Sequence, residues 1–281
     1  MRRTVFMSEM SWIEYRERVA TEGAVVLLPV GALEQHGPHL PLGTDAILAT
    51  EMARRAAERL DGVVAPPLTY GYKSQPRTGG GNHFCGTTSL DGGTLAATVH
   101  DLIREFARHG ARRIAVIDGH YENQMFLTEG IDLAIRDARA AGPEGLRVLK
   151  MRYCETIRPE TLARIFPHGF PGLDLEHAGV LETALMLHLF PDRVDMGQVP
   201  NDPPAAPPPY DVYPTDTSWI PPTGVLSPAK TATAEIGRLL ADECVELVVR
   251  SLEAAFPPSG ALAPGRRAAS TSAMATRPPH T

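Results

Sequence analysis

An α/β fold built on a mostly parallel sheet is predicted by three observations. The short apolar runs of the chain lack polar alternation, which marks strands covered on both faces. Strand-like and helical patterns take turns along the sequence, as in βαβ units. The 281 residues are enough to bury a sizeable core.

The first strand is read at 24–33, "AVVLLPVGAL", and a helix follows over 45–60, "DAILATEMARRAAERL". A weaker strand, "GVVAP" at 62–66, comes next. The glycine-rich stretch 77–94, "RTGGGNHFCGTTSLDGGT", lacks the lysine and spacing of a phosphate loop and reads as a shaped wall. A helix over 93–109 leads into a second strong strand, "RRIAVIDG" at 112–119. Helix 124–140, strand 146–151 and helix 178–189 complete the alternation. Residues 199–228 hold ten prolines, a density that blocks helix interiors and sheet ladders, so this segment is a long loop. Its aromatic residues Tyr210, Tyr213 and Trp219 suggest that it is pinned to a surface. A last helix spans 229–255, and the Ala/Ser/Pro-rich residues 258–281 read as a disordered tail after one domain over 1–257.

Composition excludes several function classes. A net charge of −6 with no basic stripe argues against a nucleic-acid partner. The N-terminus lacks the apolar core of a signal peptide and no run of eighteen apolar residues exists, so a soluble cytoplasmic protein with no membrane partner is expected. Three cysteines without a CxxC pair indicate neither a disulfide framework nor a thiolate zinc site.

The chemistry concentrates where the two strong strands end. In an extended segment residues two apart share a side, so Glu34 and His36 converge after the first strand. The second strand ends in "DGHYEN", which presents His120 and Glu122 in the reverse order. Asp45, at the start of a helix, caps that helix or reaches back over the same crevice. In open parallel sheets function collects beyond the carboxyl ends of the strands. Five candidate ligands exceed what one tetrahedral ion with a water takes, but suit two divalent ions sharing a carboxylate. Nitrogen and oxygen donors without thiolate point to zinc or manganese. The chemistry implied is hydrolysis by activated water. His39 is read as structural.

Further on, "GLDLEHAGVLETAL" places Asp174, Glu176 and His177 before a helix that contains Glu182. The acids can complement the helix dipole. His177 is the candidate for passing a proton to a leaving nitrogen, with Glu176 as its partner or relay. Thr78 and His83 of the glycine-rich wall are candidate ligand contacts, with a structural role equally open for His83. A Cys85/His83 nucleophile lacks an orienting acid and is set aside.

Together these motifs resemble the creatininase family of metal-dependent amidohydrolases. "LLPVGALEQHGPHLPLGTD" is similar to its metal-binding signature, and "YGYKSQ", "GGGNHF", "GTTSLDG", "GHYENQMF", "DLEHAGVLET", "PPYDV" and "SPAKTA" resemble its creatinine-hydrolysing branch. The resemblance implies a three-layer α/β sandwich, a homohexamer and two divalent ions. One ion would take Glu34, Asp45 and His120; the other would take His36, Asp45 and Glu122. Thr78, Tyr121, Asp174, Glu176 and His177 would line the substrate pocket, with His177 as proton carrier. The implied reaction opens a cyclic amide, creatinine to creatine first among candidates. Two positions depart from the pattern, because Cys154 and Leu173 stand where creatininases carry pocket tryptophans. The enlarged pocket motivates an alternative substrate for the same metals: another lactam or imide, a formamide or a short peptide. A catalytically silent metal scaffold is the remaining rival.

Overall fold

A computed structural model describes residues 3–141, 145–155 and 157–257. The expected tail at 258–281 lies outside them. Four strands form one parallel sheet: β1 (Val26–Val30), β2 (Val63–Val64), β3 (Arg113–Asp118) and β4 (Arg147–Arg152), in the spatial order β2-β1-β3-β4. The helices in chain order are α1 (Trp12–Arg16), α2 (Thr44–Leu60), α3 (Pro76–Gly79), α4 (Gly92–Arg108), α5 (Gln124–Ala141), α6 (Pro159–Ile165), α7 (Val180–Leu189) and α8 (Ala234–Ala255).

Burial explains why the strands carry no polar alternation. Val26, Leu28, Val30, Ile114 and Val116 face one core with residues of α4 and α5, while Leu27, Ala115 and Ile117 face a second core with α2, α7 and α8. Both faces are covered, so both sets of alternating positions are apolar. This is the three-layer α/β arrangement, with the sheet in the middle.

The strong strands and the long helices fall where periodicity placed them, and the differences have local causes. The helix expected from residue 178 starts at Val180, because Ala178 has φ 54° and cannot join a right-handed turn. The helix expected from 229 starts after Thr233, whose hydroxyl accepts from the Ile236 amide as an N-cap. Helices α1, α3 and α6 have seven residues or fewer, too short for a hydrophobic period to announce them. The proline-rich loop holds no helix or strand; Tyr210 and Tyr213 are exposed while Trp219 is half-buried. Its end is tied down where the Leu226 amide donates to the His177 carbonyl.

One charged side chain is part of the framework. Arg18 is fully buried and donates to the carbonyls of Thr4, Asp61 and Gly62 and to the Asp61 carboxylate. It joins the N-terminal segment to the left-handed turn that ends α2. Arg18→Ala leaves one buried and two partly buried carbonyls without their donor and opens a cavity where the side chain was, a cost of about 3 kcal/mol. The expected result is a Tm lowered by roughly 6–12 °C for a chain of this size, read by calorimetry.

Candidate metal centre

The topology creates a crevice at the centre of the sheet. After β1 the chain crosses by α2 toward β2, whereas after β3 it crosses by α5 on the opposite face toward β4. The two connections diverge beyond the carboxyl ends of β1 and β3, which is where ligands bind in such sheets. Close packing then sets the position of α2. A Cβ on Gly31, just after β1, would lie 2.3 Å from the Ala46 nitrogen, and one on Gly119, just after β3, 2.5 Å from the Asp45 carbonyl oxygen. Only glycine at these positions lets the first turn of α2 sit against both strand ends and hold Asp45 between them.

Asp45 is the hub of a buried cluster. Its Oδ1 lies 3.1 Å from His36 Nε2 and its Oδ2 lies 3.1 Å from His120 Nδ1. Glu34 Oε2 is also 3.1 Å from His120 Nδ1, and Glu182 Oε1 is 3.7 Å from His36 Nε2. The other nitrogen of each ring is held by the backbone: His36 Nδ1 lies 3.1 Å from the Glu34 carbonyl, and His120 Nε2 lies 3.0 Å from the Tyr72 carbonyl. A carbonyl only accepts, so each of those nitrogens carries the proton and donates. In the neutral rings the opposite nitrogens then turn lone pairs toward carboxylates. Imidazoles locked in this way are the form that metal-binding histidines take. Glu34 Oε1 and Asp45 Oδ2 are moreover buried with no hydrogen-bond donor. A divalent cation answers all of these unmet demands, and the donor set fits zinc or manganese.

Three groups of three donors lie close enough to hold an ion, Glu34/Asp45/His120, His36/Asp45/Glu182 and Glu34/His36/His177, and Asp45 belongs to the first two. The structure therefore brings together four of the five residues expected as ligands. It sets Glu122 apart from His36: its Oε2 lies 3.4 Å from the far nitrogen of His120, and its Oε1 accepts from the Gln75 amide and the Thr78 hydroxyl. Glu182, one turn into the helix that follows His177, occupies the His36 side instead and accepts from the Ala178 amide.

The electrostatics follow from burial and close charges. Burial pushes the Glu34 carboxyl up to about 7 despite the proximity of His120. Burial opposes ionisation of Asp45 too, but His36 and His120 together hold it below the usual carboxylate range. Burial disfavours the charged form of His36 and His120; their carboxylate neighbours outweigh it and raise both. A metal ion competes with those protons for the same lone pairs.

His177 stands beside this cluster, with its ring centroid 4.5 Å from that of His36. Its Nε2 lies 2.8 Å from the Gln35 carbonyl, and the two amide protons of the Gln35 side chain go to Gly79 O and Gly224 O. Nε2 is thus the donor and Nδ1 keeps its lone pair, 3.9 Å from Glu34 Oε2. Burial and the neighbouring His36 hold His177 well below the ordinary imidazole range. The left-handed φ of Ala178 turns the chain sharply between His177 and α7, a local strain of the kind that collects at functional sites. Glu176 does not meet His177. Its carboxylate accepts from the Val180 and Leu181 amides at the start of α7, and burial pushes it up to about 8.

A pocket leads away from the cluster. Asp45, Glu182, Thr78, Tyr121, Cys154 and Leu173 are among the residues that line it. Asp174 is exposed and lies outside that lining. His39 is buried on Thr183, in keeping with a structural role. His83 is exposed, stacked on Phe84 beside an exposed Cys85. Sequence reading missed Gln35, Arg152 and the role of Glu182. It also missed Asp118, a buried acid that accepts from the His120 amide, Asn123 and Gln124 and so braces the loop after β3. Asp118 closes an apolar run immediately before "GH", and that placement was its available signal.

Comparison with known proteins agrees with this architecture. The family model described as creatinine amidohydrolase matches residues 8–252. The creatinine amidohydrolase of Pseudomonas putida is 51% identical over 260 residues, which cover 92% of this chain and all of that protein. A crystal structure of creatinine amidohydrolase (creatininase) superposes with a TM-score of 0.90 at 50% identity, over 92% of this chain and 100% of the other. A creatininase solved with manganese superposes at 0.89 with 51% identity, over 91% and 100% of the two chains. A glutamine-substituted variant of Zn-Zn type superposes at 0.89 with 50% identity, over 92% and 100%. The chain belongs to the creatininase family.

Proposed function

We propose that the chain is a dinuclear metal-dependent amidohydrolase that hydrolyses a cyclic amide, with creatinine to creatine as its reaction. The observation that carries this reading is Asp45, buried between two imidazole lone pairs and shared by two three-donor groups. The 51% identity to a creatinine amidohydrolase supports the substrate. Zinc and manganese, the metals named for solved creatininases, fit the donors here. Two such ions supply a nucleophilic water near neutral pH and a Lewis acid for the amide carbonyl.

The protein's own groups do the rest. Glu34, Asp45 and His120 would hold one ion, and His36, Asp45 and Glu182 would hold the other. Glu122 steadies His120 from its far side and accepts from the hydroxyl of Thr78 in the pocket lining. His177 Nδ1, neutral and facing the cluster, takes the proton released from the attacking water and returns it to the departing ring nitrogen. Glu176 fixes the turn from which His177 projects. We further read the protein as cytoplasmic and hexameric, a reading supported by the family and by exposed Trp12, Ile13 and Met125; sedimentation velocity reads the assembly. Among the described residues no helix is long and apolar enough to cross a membrane.

Creatine release by the metal-loaded chain is the test. Turnover of creatinine is expected, weakened by the loss of aromatic walls at Cys154 and Leu173. Introducing C154W and L173W together should raise kcat/KM for creatinine about tenfold, because each stacking face contributes roughly 0.5–1.5 kcal/mol. No creatine from wild type with two ions bound would sink the creatinine assignment and leave the metal centre standing.

A further inference from the structure

Arg152, the last residue of β4, is a cation that the proposed reaction does not use. Its side chain is only 11% exposed and lines the same pocket as Asp45, Glu182, Cys154 and Leu173. It is the one basic side chain among the described residues of that lining. The guanidinium sits over the Tyr121 ring, 4.7 Å from its centroid, a contact that consumes no N–H donor. The carboxylate nearest to it, Glu155 Oε1, is 4.0 Å away, beyond hydrogen-bond reach. No side-chain hydrogen bond from Arg152 is formed to any described residue. A guanidinium that lines a pocket and has no carboxylate within hydrogen-bond reach keeps its planar fork of donors available to a ligand.

Creatinine offers only neutral acceptors, a carbonyl oxygen and ring nitrogen. It carries no carboxylate, and the one that ring opening generates forms at the carbonyl carbon that water attacks. Cys154 and Leu173 line the same pocket as Arg152, with side chains smaller than the tryptophans of the family pattern. We propose that this site also hydrolyses cyclic amides that carry a carboxylate, and that Arg152 is the specificity-determining residue that pairs with that carboxylate. The inference rests on the metal-dependent hydrolase reading. The reaction stays the same: one water is consumed, a C–O bond forms as the ring C–N bond breaks, one proton of water ends on the departing nitrogen, and the other is released from the new carboxylic acid.

Hydantoin and hydantoin-5-acetate differ by a single carboxymethyl group and serve as probes. Calorimetric titration of the metal-loaded protein is expected to show the acid binding at least about tenfold tighter than the parent ring. In Arg152→Met that ratio should collapse to near one, and Arg152→Lys should keep part of it, with metal content and Tm checked in each variant. A wild-type ratio near one overturns the proposal, and so does a preference that survives Arg152→Met, since the acid would then be held by the metals alone. Turnover of the same two rings is scored separately. An Arg152-dependent binding preference without ring opening overturns the hydrolysis of acidic rings but not the role of Arg152. Ring opening without preference does the reverse. Creatine release from creatinine, run alongside, shows whether the hydrolase reading itself has failed.

Discussion

Asp45→Ala is expected to abolish hydrolysis and to release both metal ions. Among the described residues Asp45 is the one side chain within 3.1 Å of both His36 Nε2 and His120 Nδ1, and it is shared by the donor groups Glu34/Asp45/His120 and His36/Asp45/Glu182. Without it each ion keeps two protein ligands, and two buried imidazoles lose the charge that they face. A metal acting as Lewis acid and water activator is worth several kcal/mol of barrier, so kcat/KM should fall on the order of 10⁴-fold or more. Asp45→Asn is the sharper control. It keeps the size and one oxygen but removes the charge that ties the two halves together, so ion stoichiometry should fall as well. Atomic absorption on gel-filtered protein gives the metal count, and creatine release gives the rate. Two ions per chain with turnover within tenfold of wild type would show that Asp45 does not bridge.

The sequence made the place of this centre legible more readily than its membership. Glu34 and His36 could be read because spacing by two in an extended segment gives a shared side, and His120 because it repeats the pattern after a second apolar strand. Asp45 was legible as a helix start close to both. Glu122 satisfied the same spacing rule, yet the three-residue 3-10 turn at Tyr121–Asn123 rotates its carboxylate to the far nitrogen of His120. A short turn of this kind has no periodic signature. Glu182 lies 137 residues after Asp45 in the chain, and only the packing of α7 against α2 brings it to His36. Gln35 illustrates another limit. Alternation points it away from Glu34 and His36, but its carbonyl sets the tautomer of His177 while its amide ties down Gly79 and Gly224. Arg152 follows a run of strand residues that reads as ordinary edge polarity. Its isolation in the pocket becomes visible only when Tyr121 and Glu155 are placed around it.

His177→Ala separates proton transfer from metal binding. Its Nε2–H is committed to the Gln35 carbonyl, so the ring has a single free nitrogen, and that nitrogen faces the cluster at 3.9 Å from Glu34 Oε2. A neutral imidazole in this tautomer is a ready proton acceptor, and once protonated on Nδ1 it donates from the same side. Truncation should lower kcat about 10²- to 10⁴-fold, the usual range for a positioned acid or base, with a much smaller change in KM. Both ions should remain, because Glu34, Asp45, His120, His36 and Glu182 are untouched. The competing possibility is geometric, since His177 also falls in a three-donor group with Glu34 and His36. Loss of one ion along with activity would make it a ligand. Retention of both ions with full activity would leave only a structural role for it beside the turn at Ala178. His177→Gln sharpens the distinction, because its carbonyl oxygen can still ligate a cation but cannot exchange a proton at neutral pH: both ions should stay and kcat should remain low, whereas for a ligand role the ion lost in His177→Ala would return.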